Sequence, residues 1–375
     1  MTVLRARGGV ENWLWKRLKG LAIGIALSVL SIFVTFCAGE TSLRLYLQLR
    51  YGFPFFAELD EAGIPLSQIT LDHYLGWRAT ENYRVVGTMK SADGTEYSVK
   101  FSHNEYGFRM FSNLHAGRPR VLVVGDSVTD AREVSDDKTY YAITKNFLGV
   151  EMFAYGGGGY GTLQEYMILD RYIDLIRPTL ILWQYCSNDF INNSPELETA
   201  SNGNNNGMIR PYWMSGRVVY ILPKRSGLPI RRFALQNSRF LYFVISRLDK
   251  TLASITGQSV EDEIARLGFE HRGFLHSVKV TDELMGKVRS RAGNIPIVAF
   301  SCDDLQPYTD AFKEISSNHS ITFLEDVASS IREAERGGTV VKAKDRAHWN
   351  EAGHRIAGEV ISAYLRKIDL HSGLK

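Results

Sequence analysis

The sequence predicts an α/β protein built on a doubly wound parallel sheet, preceded by a transmembrane helix and a small β-rich segment. Three observations predict it. Residues 121–124, "VLVV", are an unbroken apolar run closed by Gly125, Asp126 and Ser127, the pattern of a strand buried on both faces. Further short apolar runs follow, separated by stretches of helical periodicity. Residues 20–39, "GLAIGIALSVLSIFVTFCAG", hold no charged residue, and at 1.5 Å per residue about 20 residues cross a hydrocarbon core roughly 30 Å thick.

The chain has 375 residues, with 44 Lys and Arg against 41 Asp and Glu, a net charge of +3. Such balance leaves no tract suited to a polyanion, so nucleic acid is not an expected partner. Three cysteines without a CxxC pair or a Cys/His cluster give no zinc pattern and no disulfide-dense scaffold.

Residues 1–19 form a basic tail. Arg5, Arg7, Lys16, Arg17 and Lys19 precede the apolar run and Glu40 follows it, so the positive-inside rule puts the amino end in the cytoplasm. The expected protein is a single-pass protein of the cytoplasmic membrane, with everything after Glu40 extracytoplasmic (periplasmic in a Gram-negative cell). A cleaved signal peptide is the rival reading. Its apolar part is usually about 7 to 15 residues, and Phe36-Cys37-Ala38 lacks the small residue a cleavage site wants.

Residues 40–119 form a juxtamembrane segment and a small β-rich subdomain. Residues 41–56 are aromatic and amphipathic, a continuation of the helix near the membrane surface. Residues 75–110 alternate polar and apolar around glycine turn signals, which predicts a small antiparallel hairpin. Residues 120–370 carry the α/β domain, with strands expected at 121–124, 151–154, 179–185, 295–300 and 321–324 and helices at 162–176 and 281–292. Residues 190–272 interrupt this rhythm. A polar, turn-rich start and an aromatic helix at 235–248 read as an insertion bordering the carboxyl edge of the sheet, where substrate walls occur.

Chemistry gathers at the same edge. A serine hydroxyl needs a histidine to take its proton and a third group to orient that histidine. Ser127 ends the first strand, and "DRAH" places Asp345 three residues before His348. Acyl transfer also needs donors for an oxyanion. Gly159, in "AYGGGGYGT", offers an open backbone N–H, and Asn188, in "YCSND", offers an amide. Singly, each has a plainer role: helix cap, tight turn or loop. Together, and in this order, they form a set. Tyr212 and Trp213 follow Pro211 in a polar loop and are the candidate substrate residues, flat rings that stack on a sugar.

In "GDSVT", "GGYGT", "SND" and "DRAH" the sequence resembles the SGNH, or GDSL-type, hydrolase family over residues 120–367, and "LGW" and "NEYGFR" upstream resemble the leader of its membrane-anchored and secreted bacterial members. Val128 stands where the family name has Leu, and Ala154 where an Asn often precedes the second block. The resemblance implies a flavodoxin-like α/β/α sandwich and a serine esterase without metal or cofactor. Ser127 would be the nucleophile, His348 the base and Asp345 its orienter, with Ser127 N–H, Gly159 and Asn188 as the oxyanion hole. The expected activity is removal of acyl, foremost acetyl, groups from an extracytoplasmic glycan. A lipid esterase or lysophospholipase, an O-acyltransferase and a non-catalytic envelope assembly protein remain open, and no motif separates hydrolysis from transfer. Cys186 and Cys302 end the third and fourth strands, neighbours in a flavodoxin-like order, so their side chains are expected close together; closeness alone leaves open whether they are bonded.

Overall fold

One helix, Val3–Tyr51, opens the chain in a computed structural model that describes residues 3–51, 55–56, 68–201, 203–224, 227–256 and 259–368. Its portion Trp15–Leu49 is long and apolar enough to cross a membrane. Leu21, Ile25, Leu27 and Phe33 are all more than half exposed, so large apolar side chains stand uncovered along this part of the helix.

The residues after it form two hairpins where one was expected. β1 (Ile69–Asp72) pairs with β2 (Gly76–Ala79), and β3 (Arg84–Lys90) with β4 (Glu96–Ser102). β5 (Met110–Phe111) then runs antiparallel along the edge of the main sheet. That sheet continues through β6 (Arg120–Gly125), β7 (Glu151–Gly156) and β8 (Leu180–Tyr185). The insertion contributes a separate hairpin, β9 (Arg210–Met214) with β10 (Arg217–Ile221). β11 (Ile297–Ser301) and β12 (Thr322–Phe323) complete the sheet.

The spatial order is β12-β11-β8-β6-β7-β5, parallel apart from β5. Taken in chain order, the five parallel strands lie 2-1-3-4-5, so the winding reverses between β6 and β8. Ligands bind at that switch point, beyond the carboxyl ends of the strands.

Alternation along each strand explains the two cores. Leu122 and Val124 join Trp183, Phe153 and residues of helices Thr162–Ile176 and Arg272–Ala292 on one face. Val121 and Val123 join Met152, Leu182, Phe300 and residues of helix Glu351–Leu365 on the other. Each such side chain, fully buried, contributes on the order of 1.5–3 kcal/mol.

Cys186 and Cys302 are joined in a disulfide, with Cα atoms 5.2 Å apart. The register explains it: Tyr185 pairs with Ser301 and the Cys302 N–H donates to the Tyr185 carbonyl at 2.7 Å, so the ladder carries both cysteines one step past the strands side by side. The helix expected at 235–248 is two helices, Leu228–Asn237 and Arg239–Thr256, broken at Ser238, which is extended at φ −139°, ψ 111°. Its hydroxyl accepts from the Leu241 N–H at 3.0 Å, starting a second helix where the pattern alone showed one.

Candidate active site

β6 ends on Gly125, and a four-residue helix, Ser127–Asp130, starts at once. The turn is held from the neighbouring strand. Gln184 Oε1, buried on β8, accepts from the N–H groups of Asp126 and Thr129 at 3.1 Å each and from Thr129 Oγ1 at 2.7 Å. A Cβ on Gly125 would collide with that same Gln184 side chain, so glycine is required by close approach. Asp126 caps the short helix by accepting from the Val128 N–H at 2.9 Å. The capping role that Asp126 has as a plain structural residue therefore coexists with a free Ser127 hydroxyl.

His348 arrives from the far end of the chain. Its Nε2 lies 2.9 Å from Ser127 Oγ and its Nδ1 2.5 Å from Asp345 Oδ2. Asp345 also accepts, through Oδ1, from the N–H groups of Ala347 and His348 at 3.0 and 3.1 Å, which fixes the carboxylate in a tight turn. Arg346, in the middle of that turn, is left-handed at φ 63°. Glu133 adds a second acid, its Oε1 3.6 Å from His348 Nδ1.

These contacts set the charges. Burial lowers the His348 pKa on its own, but the Asp345 hydrogen bond and the nearby Glu133 and Asp345 charges outweigh it and hold the pKa at about 9. Burial likewise raises Asp345, yet the hydrogen bond and charge of His348 and two backbone donors bring it down to about 2. Burial pushes Glu133 up. Beneath the site, burial and mutual repulsion push Glu165 and Asp189 well up, and burial raises Asp126. Acids held towards the neutral form do not stack negative charge under a developing oxyanion.

Glu133, Asp345 and His348 bring donor atoms within 4.8 Å of one another, a spacing that suits a metal ion. Both ring nitrogens of His348 already have partners in Asp345 and Ser127, so the imidazole spares no lone pair for one.

A cavity of roughly 1240 Å³ is lined by Ser127, Gly159, Asn188 and His348 together. Gly159 is left-handed at φ +71° and a Cβ there would strike the Asn206 amide. The glycine loop is braced from behind: Trp77 Nε1 donates to the Gly158 carbonyl at 3.1 Å and Arg210 Nη2 to the Gly159 carbonyl at 2.7 Å. Arg109 braces the other side, donating to the carbonyls of Asp130, Ala131 and Val134 at 2.7, 3.0 and 2.9 Å. Trp77 belongs to "LGW" and Arg109 to "NEYGFR", so both upstream motifs hold backbone of the site.

Tyr212 and Trp213 are a correction. They do not line the cavity; they lie on β9, in a regular hairpin rather than a polar loop. Tyr212 is buried with its hydroxyl donating to Glu198 at 2.7 Å, and Trp213 Nε1 donates to Glu283 at 2.8 Å beneath Lys287. The cavity wall is made instead by Asn204, Asn205, Asn206 and Arg132. In the sequence the signal for the three asparagines is the run "GNNNG". Arg132 had none, since its place beside Gly158 comes from pairing with Asp130 at 2.8 Å.

No protein-family profile and no curated protein matches the chain. Among solved structures it is similar to a psychrotrophic esterase from Pseudoalteromonas, at 10% identity over 66% of this chain and 97% of that one, with a TM-score of 0.38. It is similar to a lipase/acylhydrolase from Enterococcus faecalis, at 10% identity, 66% and 96% coverage and a TM-score of 0.37. A variant of an acetyl xylan esterase from Geobacillus stearothermophilus is similar at 13% identity, 67% and 95% coverage and a TM-score of 0.37.

Proposed function

We propose that the chain is a serine ester hydrolase, anchored by its N-terminal helix and working on the outer side of the membrane through an acyl-enzyme on Ser127. The observation that carries this reading is the unbroken relay from Asp345 through His348 to Ser127, at 2.5 and 2.9 Å, in a cavity shared with Gly159 and Asn188. Ser127 Oγ attacks the ester carbonyl while His348 Nε2 takes its proton, a step worth about 10²–10⁴ in rate. The new oxyanion is met by the N–H groups of Ser127 and Gly159 and the Asn188 amide. His348 then protonates the leaving alcohol, and water, activated by the same imidazole, releases the acid. Asp345 holds the ring in the tautomer that presents a lone pair to Ser127.

Residues 20–39 and their basic flank support the anchor, and the Cys186–Cys302 disulfide supports an oxidising compartment for the domain. On the substrate, the asparagine amides and Arg132 supply polar groups beside the glycine loop, whereas Tyr212 and Trp213 are not among the residues that line this cavity. The test is hydrolysis of p-nitrophenyl acetate by the purified full chain. Ser127→Ala removes at least about 10³ of the rate, and equal rates in both proteins end the reading; acyl release with and without added acceptors then separates hydrolysis from transfer.

A further inference from the structure

The Ser127 cavity has a second rim, made by Leu228, Arg231, Tyr242 and Ile245 of the two insertion helices. Those helices are clamped to the N-terminal helix where its uncharged run ends. Glu40, the first charged residue after Lys19, accepts from Ser238 Oγ at 2.7 Å and from the N–H groups of Arg239 and Phe240 at 3.1 and 2.9 Å. One turn further, Arg44 donates to the carbonyl of Asn237 at 3.2 Å. An acid thus closes the N-terminus of one helix and a base the C-terminus of the other, each matching the local dipole. One turn before Glu40, Phe36 meets Phe240 edge to face, with ring centroids 5.9 Å apart.

This clamp fixes the level of the insertion helices relative to the apolar run. On them Ile230, Phe233, Tyr242, Phe243 and Leu248 are 44–58% exposed, with Arg247 over the Phe243 ring at 5.2 Å. Large apolar side chains mixed with arginines, tied to the end of a spanning segment, are what an interfacial helix requires.

We infer that helices Leu228–Asn237 and Arg239–Thr256 lie in the outer headgroup layer of the bilayer and open the Ser127 cavity towards it, so that the ester is borne by a membrane-embedded amphiphile. The inference rests on the anchored-esterase reading above. The hydrophobic effect supplies the docking, and the substrate enters along the rim of Leu228, Tyr242 and Ile245 without leaving the membrane surface.

The full chain, with Cys37→Ser, is reconstituted in nanodiscs of phosphatidylcholine and phosphatidylglycerol and spin-labelled without reductant at Phe243→Cys, Leu248→Cys or, as reference, Leu175→Cys. Collisions with oxygen dominate at 243 and 248, and those with a water-soluble nickel chelate dominate at 175. Nickel access at all three sites, in protein that resists alkaline carbonate, overturns the docking alone. Extraction of the full chain by carbonate overturns the anchor and the docking with it. In kinetics, Phe243→Asp with Leu248→Asp raises KM at least about fivefold for a fluorogenic acyl ester dissolved in the same discs, with kcat/KM on p-nitrophenyl acetate within about twofold. An unchanged KM on the disc-borne ester overturns the entry route. Failure of the esterase reading shows separately, as p-nitrophenyl acetate hydrolysis that survives Ser127→Ala.

Discussion

Trp77 and Gly158 are joined by one hydrogen bond, indole Nε1 to carbonyl oxygen at 3.1 Å, across 81 residues of sequence. Through it the small β-rich segment holds the loop that carries the proposed oxyanion glycine. Trp77→Phe keeps an aromatic ring but deletes the donor and leaves a small void, so stability falls by about 1–3 kcal/mol. If the bond orients Gly159, kcat on p-nitrophenyl acetate drops by roughly 3- to 10-fold while KM stays. Thermal unfolding and steady-state kinetics on the same preparation separate the two effects.

The pH profile reports His348. A group whose folded pKa is about 9 carries a proton at neutral pH and is a base only above that value, so kcat/KM rises with pH to a plateau beyond about 9. Glu133→Gln removes one of the charges holding the proton and moves this limb to lower pH by about one unit, with the plateau kept. A limb that stays in place shows that Glu133 does not act on the imidazole. The same shifts tie folding to pH. Stabilisation from His348 is complete below its unfolded pKa near 6.5 and is gone above about 9, while that from Asp345 is complete above about 3.8 and is gone below about 2.

Asn188→Ala tests the second oxyanion donor. The amide donates to Asn192 Oδ1 at 3.2 Å, and in the proposed mechanism it turns to the substrate oxygen as charge develops. The expected loss is about 10²–10³ in kcat with KM nearly unchanged. A change confined to KM assigns Asn188 to ground-state binding.

Thiol counting settles the cysteines. Alkylation of the denatured chain without reductant modifies Cys37 alone, and after reduction it modifies Cys186 and Cys302 too, read as intact mass. Cys186→Ser with Cys302→Ser costs about 2–5 kcal/mol of stability, measured by denaturant unfolding. Three reactive thiols from the start, in protein exported to an oxidising compartment, would refute the bond.

Residues with a local signature were legible in the sequence. The runs at 121–124 and 179–185 sit in β6 and β8 because unbroken aliphatics between turn residues are readable over a few positions. Asp345 and His348 are readable as a pair because they stand three positions apart. What escaped depends on partners far along the chain. Gln184, which pins the nucleophile turn, is one polar residue inside an apolar strand and gains meaning only beside β6. Arg210 is wholly buried and donates to the Gly159 carbonyl, 51 residues away in the chain. Tyr212 and Trp213 were assigned to a loop because Pro211 and nearby glycines suggested one, yet pairing with β10 made that stretch a strand. The break at Ser238 is hidden because Glu40, which braces it, lies 198 residues away.

The bond between Cys186 and Cys302 has a bearing on how the protein matures. The partners are 116 residues apart, so the cross-link closes only after the insertion, helix Arg272–Ala292 and β11 have all been delivered to a place where thiols are oxidised. Until then the stretch bearing Asn188, two residues past Cys186, lacks its covalent tie to β11. A chain made in a reducing cytosol keeps these two thiols unjoined, and the choice of expression host decides which form is purified.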